Sequence, residues 1–162
     1  MSDYSITADD IAKFLLSFET NDDWVSARNP FYPVYTASKA ENRYNREGEV
    51  AYYLASGDGT MKAEIPNWID RDIYKVAPST INAFDLAGWS LKRGFHEDFL
   101  KSKTDGGYGL CQAATEQLTG IYGVTGILYN SQPRHAVGET GICLVLMPSS
   151  GQLVDGKFFI KT

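Results

Sequence analysis

The apolar positions of this chain fall first into a helical rhythm and then into short strand-like runs. Ile11, Phe14, Leu15 and Phe18 recur at helical spacing, so residues 7–18 are predicted to form a helix. Thr7 is placed to cap it, and Asp9 and Asp10 suit its positive N-terminal end. Residues 19–41 lose the rhythm. With Pro30, Pro33 and several aromatics they read as an irregular wrap around the body, with a short strand at 32–36. Residues 50–55 have almost no polar position, as expected of a strand buried on both faces. Gly57-Asp58-Gly59 is a turn signal, and Thr60 is expected to cap a short helix that Pro66 ends, with Glu64 near its start.

Two further strands are predicted at 72–77 and 81–87, separated by Pro78-Ser79, and a short helix at 94–103. A second good helix covers 108–119, with Leu110, Ala113, Ala114 and Leu118 inward and Gly120 and Gly123 at its end. Strands follow at 124–129, 141–147 and 152–161, the first two joined by a loop over 130–135. Loops at strand ends are where small-molecule sites gather. There is no internal repeat, low-complexity tract or domain boundary. A chain of 162 residues patterned this way implies a single compact α+β domain with a mixed or antiparallel sheet and few helices.

Composition narrows the function classes. The net charge is −5 and no lysine/arginine run is present, which argues against a nucleic-acid partner but leaves room for a small anionic ligand held by one arginine. Ten tyrosines are many for this length; the plain reading is packing, although a flat face with a polar tip also suits nucleotide or sugar pockets. Cys111 and Cys143 each sit in an apolar stretch and read as reduced core residues. His96 and His135 are too few and too scattered for a zinc signature. The N-terminus shows neither a signal peptide nor a membrane span, so a cytoplasmic, membrane-free protein is expected.

No Walker loop, Gly-x-Gly-x-x-Gly or Gly-x-Ser-x-Gly is present, so candidate chemistry rests on isolated polar residues beside apolar strands. Arg43 precedes the 50–55 strand; a guanidinium grips phosphate through two parallel hydrogen bonds, but Arg43 is equally placed for a surface salt bridge to Glu41 or Glu47. Glu64 lies among Met61, Ala63 and Ile65 and reads either as a functional carboxylate or as an exposed helix residue. Ser131 follows the 124–129 strand and reads either as a ligand contact or as a turn residue bonding its own backbone.

Together these segments resemble the RES domain, a family named for its arginine, glutamate and serine. The first half of the likeness is Arg43-Tyr44-Asn45, Gly48, Ala51-Tyr52-Tyr53-Leu54-Ala55 and Ala63-Glu64; the second is Gly126-Ile127-Leu128-Tyr129-Asn130-Ser131 followed by the apolar run from Gly141. It spans about residues 32–150 in the family's order. The resemblance implies a fold similar to ADP-ribosyltransferase toxins and an NAD⁺-degrading toxin, a glycohydrolase or phosphorylase that cleaves the nicotinamide–ribose bond. It further implies no cofactor beyond NAD⁺ as substrate, and a neutralising partner: a helix-turn-helix antitoxin, or an immunity protein if the chain is a delivered effector. By the same resemblance Glu64 is the catalytic carboxylate, Arg43 holds a phosphate of NAD⁺, Tyr53 lines the nicotinamide side, Ser131 bonds ribose or phosphate, and Tyr44 joins the NAD⁺-binding set.

The chain departs from the family pattern twice. The family's early Tyr-Arg has no counterpart in Tyr32-Pro33-Val34-Tyr35-Thr36, Arg28 being a loose substitute, and the glycines before the motif arginine are replaced by Glu41-Asn42. Loss of an arginine for inorganic phosphate favours water or another acceptor. The residues suit the chemistry in their own right: cleaving a sugar from a cationic leaving group passes through an oxocarbenium-like state, which one carboxylate can stabilise while a tyrosine face stacks the leaving ring. The rival readings are a protein ADP-ribosyltransferase and a non-catalytic immunity or carbohydrate-binding module.

Overall fold

The strands at the middle of the chain are apolar on both sides, and the architecture follows from covering both. The computed structural model describes residues 4–20, 23–28, 41–49, 51–147 and 159–161. Among them eight strands form one mixed sheet: β1 (Leu15–Glu19), β2 (Trp24–Arg28), β3 (Tyr52–Ser56), β4 (Asp72–Val76), β5 (Thr80–Asp85), β6 (Gly126–Asn130), β7 (Ile142–Leu146) and β8 (Phe159–Lys161). Their order is β1-β5-β6-β7-β3-β2-β4-β8. The β5–β6 pair is parallel and the other pairs are antiparallel. Six helices accompany the sheet: α1 (Ala8–Phe14), α2 (Asp58–Glu64), α3 (Leu86–Arg93), α4 (His96–Phe99), α5 (Gly107–Glu116) and α6 (Gln132–Ala136). The chain is thus a mixed α+β domain, with more helices than the pattern suggested. No helix among the described residues is long and apolar enough to cross a membrane.

Strand alternation sends one set of side chains to each face. Val25, Ala27, Ala55, Ile127, Tyr129, Cys143 and Val145 meet Leu86, Trp89, Phe99, Cys111, Ala114 and Leu118 from the helices. The intervening Tyr52, Leu54, Leu144 and Leu146 face the other way and cluster with Val76, Ile81 and Phe159. That second cluster draws on β4 and β5, which are far apart in the strand order. Phe18 of β1 likewise lies 6.2 Å from Trp24 of β2. The sheet therefore curls until its distant strands share one apolar interior, which replaces a second layer of helices.

Several expectations need correction. The helix over 7–18 stops at Phe14: Thr7 caps it as expected, in a capping box with Asp10, but Leu15 to Glu19 pair with β5 instead. Edge pairing to a sheet outweighs one more turn of a short amphipathic helix, whose stability is mostly tertiary. The segment 19–41 contains β2, where small residues, Ser26 and Ala27, hide the strand signal; the strand expected at 32–36 lies outside the described residues. Of the helix expected at 94–103 only α4 forms; α3 precedes it, starting within the strand expected at 81–87, which ends at Asp85, and Gly94 (φ 84°) caps α3 in the left-handed conformation. Ala113 points outward, while Ala114 and Leu118 are buried. Thr60 is a buried residue inside α2, and Glu64 is the last residue of that helix, not near its start. The loop at 130–135 holds α6, with Ser131 as its N-cap.

The two-faced burial makes a sharp stability prediction. Leu144 is fully buried, whereas Leu91 is 58% exposed. Leu144→Ala is expected to cost about 2–5 kcal/mol in urea unfolding, and Leu91→Ala within about 0.5 kcal/mol. Equal costs for the two would contradict a sheet buried on both faces.

Candidate functional site

On the helix-bearing face, between the ends of the helices, lies a cleft of ≈ 540 Å³. Such a volume is in the range of small-molecule sites. Its floor is the apolar surface of β2, β3, β6 and β7: Val25, Ala27, Ala55, Tyr129 and Cys143. Glu64 and Met61 of α2 form one wall, with Ile65 and Pro66 following. Arg43 and Asn42 come from the turn before β3, Tyr108 from the first turn of α5, and Gln132 and Pro133 from α6. Arg43, Tyr53 and Glu64, separated in sequence, therefore line one cavity.

Arg43 is positioned by a network that ties its turn to the sheet and to α5. Asn42 and Asn45 bridge each other, and Gln112 of α5 donates to the carbonyls of both and to Glu41. From the strand side, the Tyr53 hydroxyl donates to Asn45 Oδ1 at 2.6 Å and accepts the Tyr44 N–H at 3.2 Å. Burial pushes the Tyr53 hydroxyl well above its ordinary pKa, so it remains a donor. Arg43 Nη1 donates to the carbonyls of Phe99 and Lys101, at 2.8 and 2.9 Å, closing the end of α4. The Arg43 guanidinium lies 4.9 Å from the Tyr108 ring centre. Gly107 makes that approach possible: a side chain there would collide with the Lys101 carbonyl that Arg43 binds. Among the described residues Arg43 has no carboxylate partner. Glu41 pairs with Lys103, and Arg46 rather than Arg43 meets Glu116.

Glu64 is half-buried, and its Oε1 accepts the Cys143 thiol at 3.2 Å. Burial and the neighbouring carboxylate push the Cys143 thiol far up from its ordinary pKa, so it stays protonated as a donor. Tyr129, fully enclosed beneath the cleft, is pushed up for the same reasons, burial first.

Two other residues from the family pattern stand behind the lining. Tyr44 is 2% exposed, and its ring packs on Tyr129 at 4.4 Å between centres. Ser131 is buried; its Oγ accepts the Arg134 N–H as the α6 N-cap and its N–H donates to the Gly141 carbonyl. Ser131 thus reaches the cleft through the residues that follow it, Gln132 and Pro133. The helix it caps is held at the sheet end by His135 Nε2, 2.9 Å from Glu97 of α4. Arg28 also belongs to the lining, but its guanidinium lies over the rings of Tyr52 and Phe159, which belong to the second cluster. Cys143 and Tyr108 were not among the candidates: neither has a local signal, since each meets its partner only through strand register or helix placement. No group of three or more potential metal ligands occurs among the described residues.

Chemically, the cleft offers a guanidinium, a carboxylate and tyrosine faces above an apolar floor. That set suits an anionic ligand carrying a flat ring. Comparison with known proteins finds no matching family model, curated protein or solved structure.

The Tyr53 knot is testable by stability. Tyr53→Phe removes the partner of Asn45 and of the Tyr44 N–H, and is expected to cost about 1–3 kcal/mol in urea unfolding. An unchanged midpoint would mean that the turn carrying Arg43 is held by its bonds to Gln112, Phe99 and Lys101 without Tyr53.

Proposed function

We propose that this chain is a RES-type enzyme, related in fold to the ADP-ribosyltransferase toxins, that consumes NAD⁺ by breaking its nicotinamide–ribose bond. The observation that carries the reading is that Glu64, Arg43 and Tyr53 line one cleft, with Arg43 lacking any carboxylate to neutralise it among the described residues. In this reading Arg43 holds the diphosphate through guanidinium edges not committed to Phe99 and Lys101. Tyr53 offers its ring face, its hydroxyl being committed to the Arg43 turn, and Tyr108 backs the guanidinium.

The chemical step follows from that placement. The ribose–nitrogen bond breaks, and its electron pair leaves with nicotinamide, which departs neutral. Positive charge develops on the ribose carbon and ring oxygen, opposite the Glu64 carboxylate. A preorganised charge in a poorly solvated cleft is commonly the largest catalytic contribution. Water completing the reaction yields ADP-ribose and a proton; phosphate or a protein side chain as acceptor yields the corresponding adduct. Ser131 acts indirectly, setting Gln132 and Pro133 on the cleft wall. A cell making such an enzyme needs a neutralising antitoxin or immunity protein that covers the cleft.

Two predictions test this reading. Purified protein incubated with NAD⁺ is expected to release free nicotinamide, and Glu64→Gln is expected to lower kcat by about 10²–10³ at nearly unchanged melting temperature. Absence of nicotinamide in the wild-type reaction ends the proposal; ADP-ribose appearing on protein rather than in solution converts it to a transferase. On the Glu64→Gln background, where substrate survives, Arg43→Ala is expected to weaken NAD⁺ binding in calorimetry by about 1.5–3 kcal/mol, and Arg43→Lys to recover only part of it, because lysine is a point charge. Equal affinity in all three would assign Arg43 to the α4 carbonyls alone.

A further inference from the structure

Among the described residues, the sheet's hydrogen bond to Glu64 comes from a residue to which the family pattern gives no role. Cys143 is the second residue of β7, 1% exposed, opposite Ala55 of β3 and Tyr129 of β6. Ala55 is small, which leaves the floor of the cleft open above the thiol. From there the Cys143 Sγ reaches up to Glu64 Oε1 at 3.2 Å. The Tyr129 hydroxyl is the thiol's other polar neighbour. Glu64, Cys143 and Tyr129 therefore make a short polar column through an otherwise apolar floor, and all three line the cavity.

We propose that Cys143 is a positioning residue: its thiol fixes the orientation of the Glu64 carboxylate in the cleft. The inference about catalysis rests on the reading of Glu64 as the carboxylate of a nicotinamide–ribose cleavage. Glu64 needs such a fixture because it ends α2. The helix does not continue past it, and the next residue, Ile65, is its C-cap. A terminal helical glutamate has several rotamers open to it, and each unproductive one moves the charge off the developing cation. One hydrogen bond from a rigid central strand selects among them. A thiol serves where a hydroxyl would have to stretch, because the C–S bond is longer and the sulfur tolerates the apolar floor. Cys143 takes no covalent part in the reaction; its proton stays on sulfur.

The test pairs activity with a spectroscopic reading of the contact. Cys143→Ala is expected to lower kcat for nicotinamide release about tenfold to a hundredfold, the scale of one hydrogen bond to a charged group, with KM nearly unchanged. Cys143→Ser keeps a donor, although one that must stretch to reach Glu64, and is expected to restore part of kcat even where its melting temperature falls as far as that of the alanine variant. Equal losses in the two variants would make Cys143 a packing residue, and no loss in either would remove it from the site. Independently of turnover, the S–H stretching band that disappears in Cys143→Ser is expected to move to higher frequency in Glu64→Ala. The band of Cys111, whose thiol donates to the Phe99 carbonyl at 3.3 Å, serves as an internal reference. A Cys143 band that does not move sinks the contact itself. A band that moves in a protein that releases no nicotinamide keeps the contact and ends the NAD⁺ reading instead.

Discussion

The rest of the structure depends on one constraint: β3, β6 and β7 have no polar face. Tyr53, Ala55, Ile127, Tyr129, Cys143 and Val145 require cover on one side, and Tyr52, Leu54, Leu144 and Leu146 require it on the other. The first side receives helices, and the second is closed by curling of the sheet, so that β4 and β5 meet across a shared interior. Burial of this kind is the dominant favourable contribution to folding and has no direction of its own. It fixes where the layers lie, and it leaves a cleft where the helical cover ends. The walls of that cleft are the ends of α2, α5 and α6 and the turn before β3.

Directional interactions then decide what the cleft contains. Arg43 and Glu64 sit on short, exposed-sided segments that burial alone would leave free to shift. Arg43 is held by Gln112 and Tyr53 acting on its turn, and by the Phe99 and Lys101 carbonyls acting on its guanidinium. Glu64 is held by Cys143. Each anchor runs from a well-packed element, α5, β3 or β7, to a residue that would otherwise sample several positions. Rigidity set before ligand arrives lowers the ordering cost of binding and keeps charges aimed where charge will develop.

The central strands were legible because apolar runs bounded by glycine and proline need no tertiary information. The run before Gly57 and the run after Gly141 announce β3 and β7 directly. Elsewhere the period was ambiguous. Leu15 and Phe18 continue a helical stripe from Ile11 and Phe14, yet Leu15 to Glu19 pair with β5. Ser26 and Ala27 are buried in β2 but carry neither bulk nor branching to mark a strand. Leu86 and Ala87 of α3 merged with the strand preceding them, and Ser131 with Pro133 one residue into α6 was read as loop chemistry rather than as a cap. For the site, Arg43 and Glu64 stood out as polar residues beside apolar strands and Tyr53 through the family resemblance, and all three line the cleft. Cys143 and Tyr108 could not: a cysteine in an apolar strand looks like core until the register sets it beneath α2.

The tyrosines show how one residue type divides its labour around the cleft. Tyr53 lends its hydroxyl to the Arg43 turn while lining the cavity. Tyr108 turns its face to the Arg43 guanidinium. Tyr129 belongs to the floor and Tyr44 packs against it from behind, and burial holds both hydroxyls firmly protonated. None of the four adds a charge. Tyr53, Tyr108 and Tyr129 set aromatic surface around the cleft that Arg43 and Glu64 share, and a charge beside such surface acts more strongly than one at an open, fully hydrated surface. The proposed anion site in an acidic chain rests on this local arrangement: one arginine beside aromatic faces, without a carboxylate partner among the described residues.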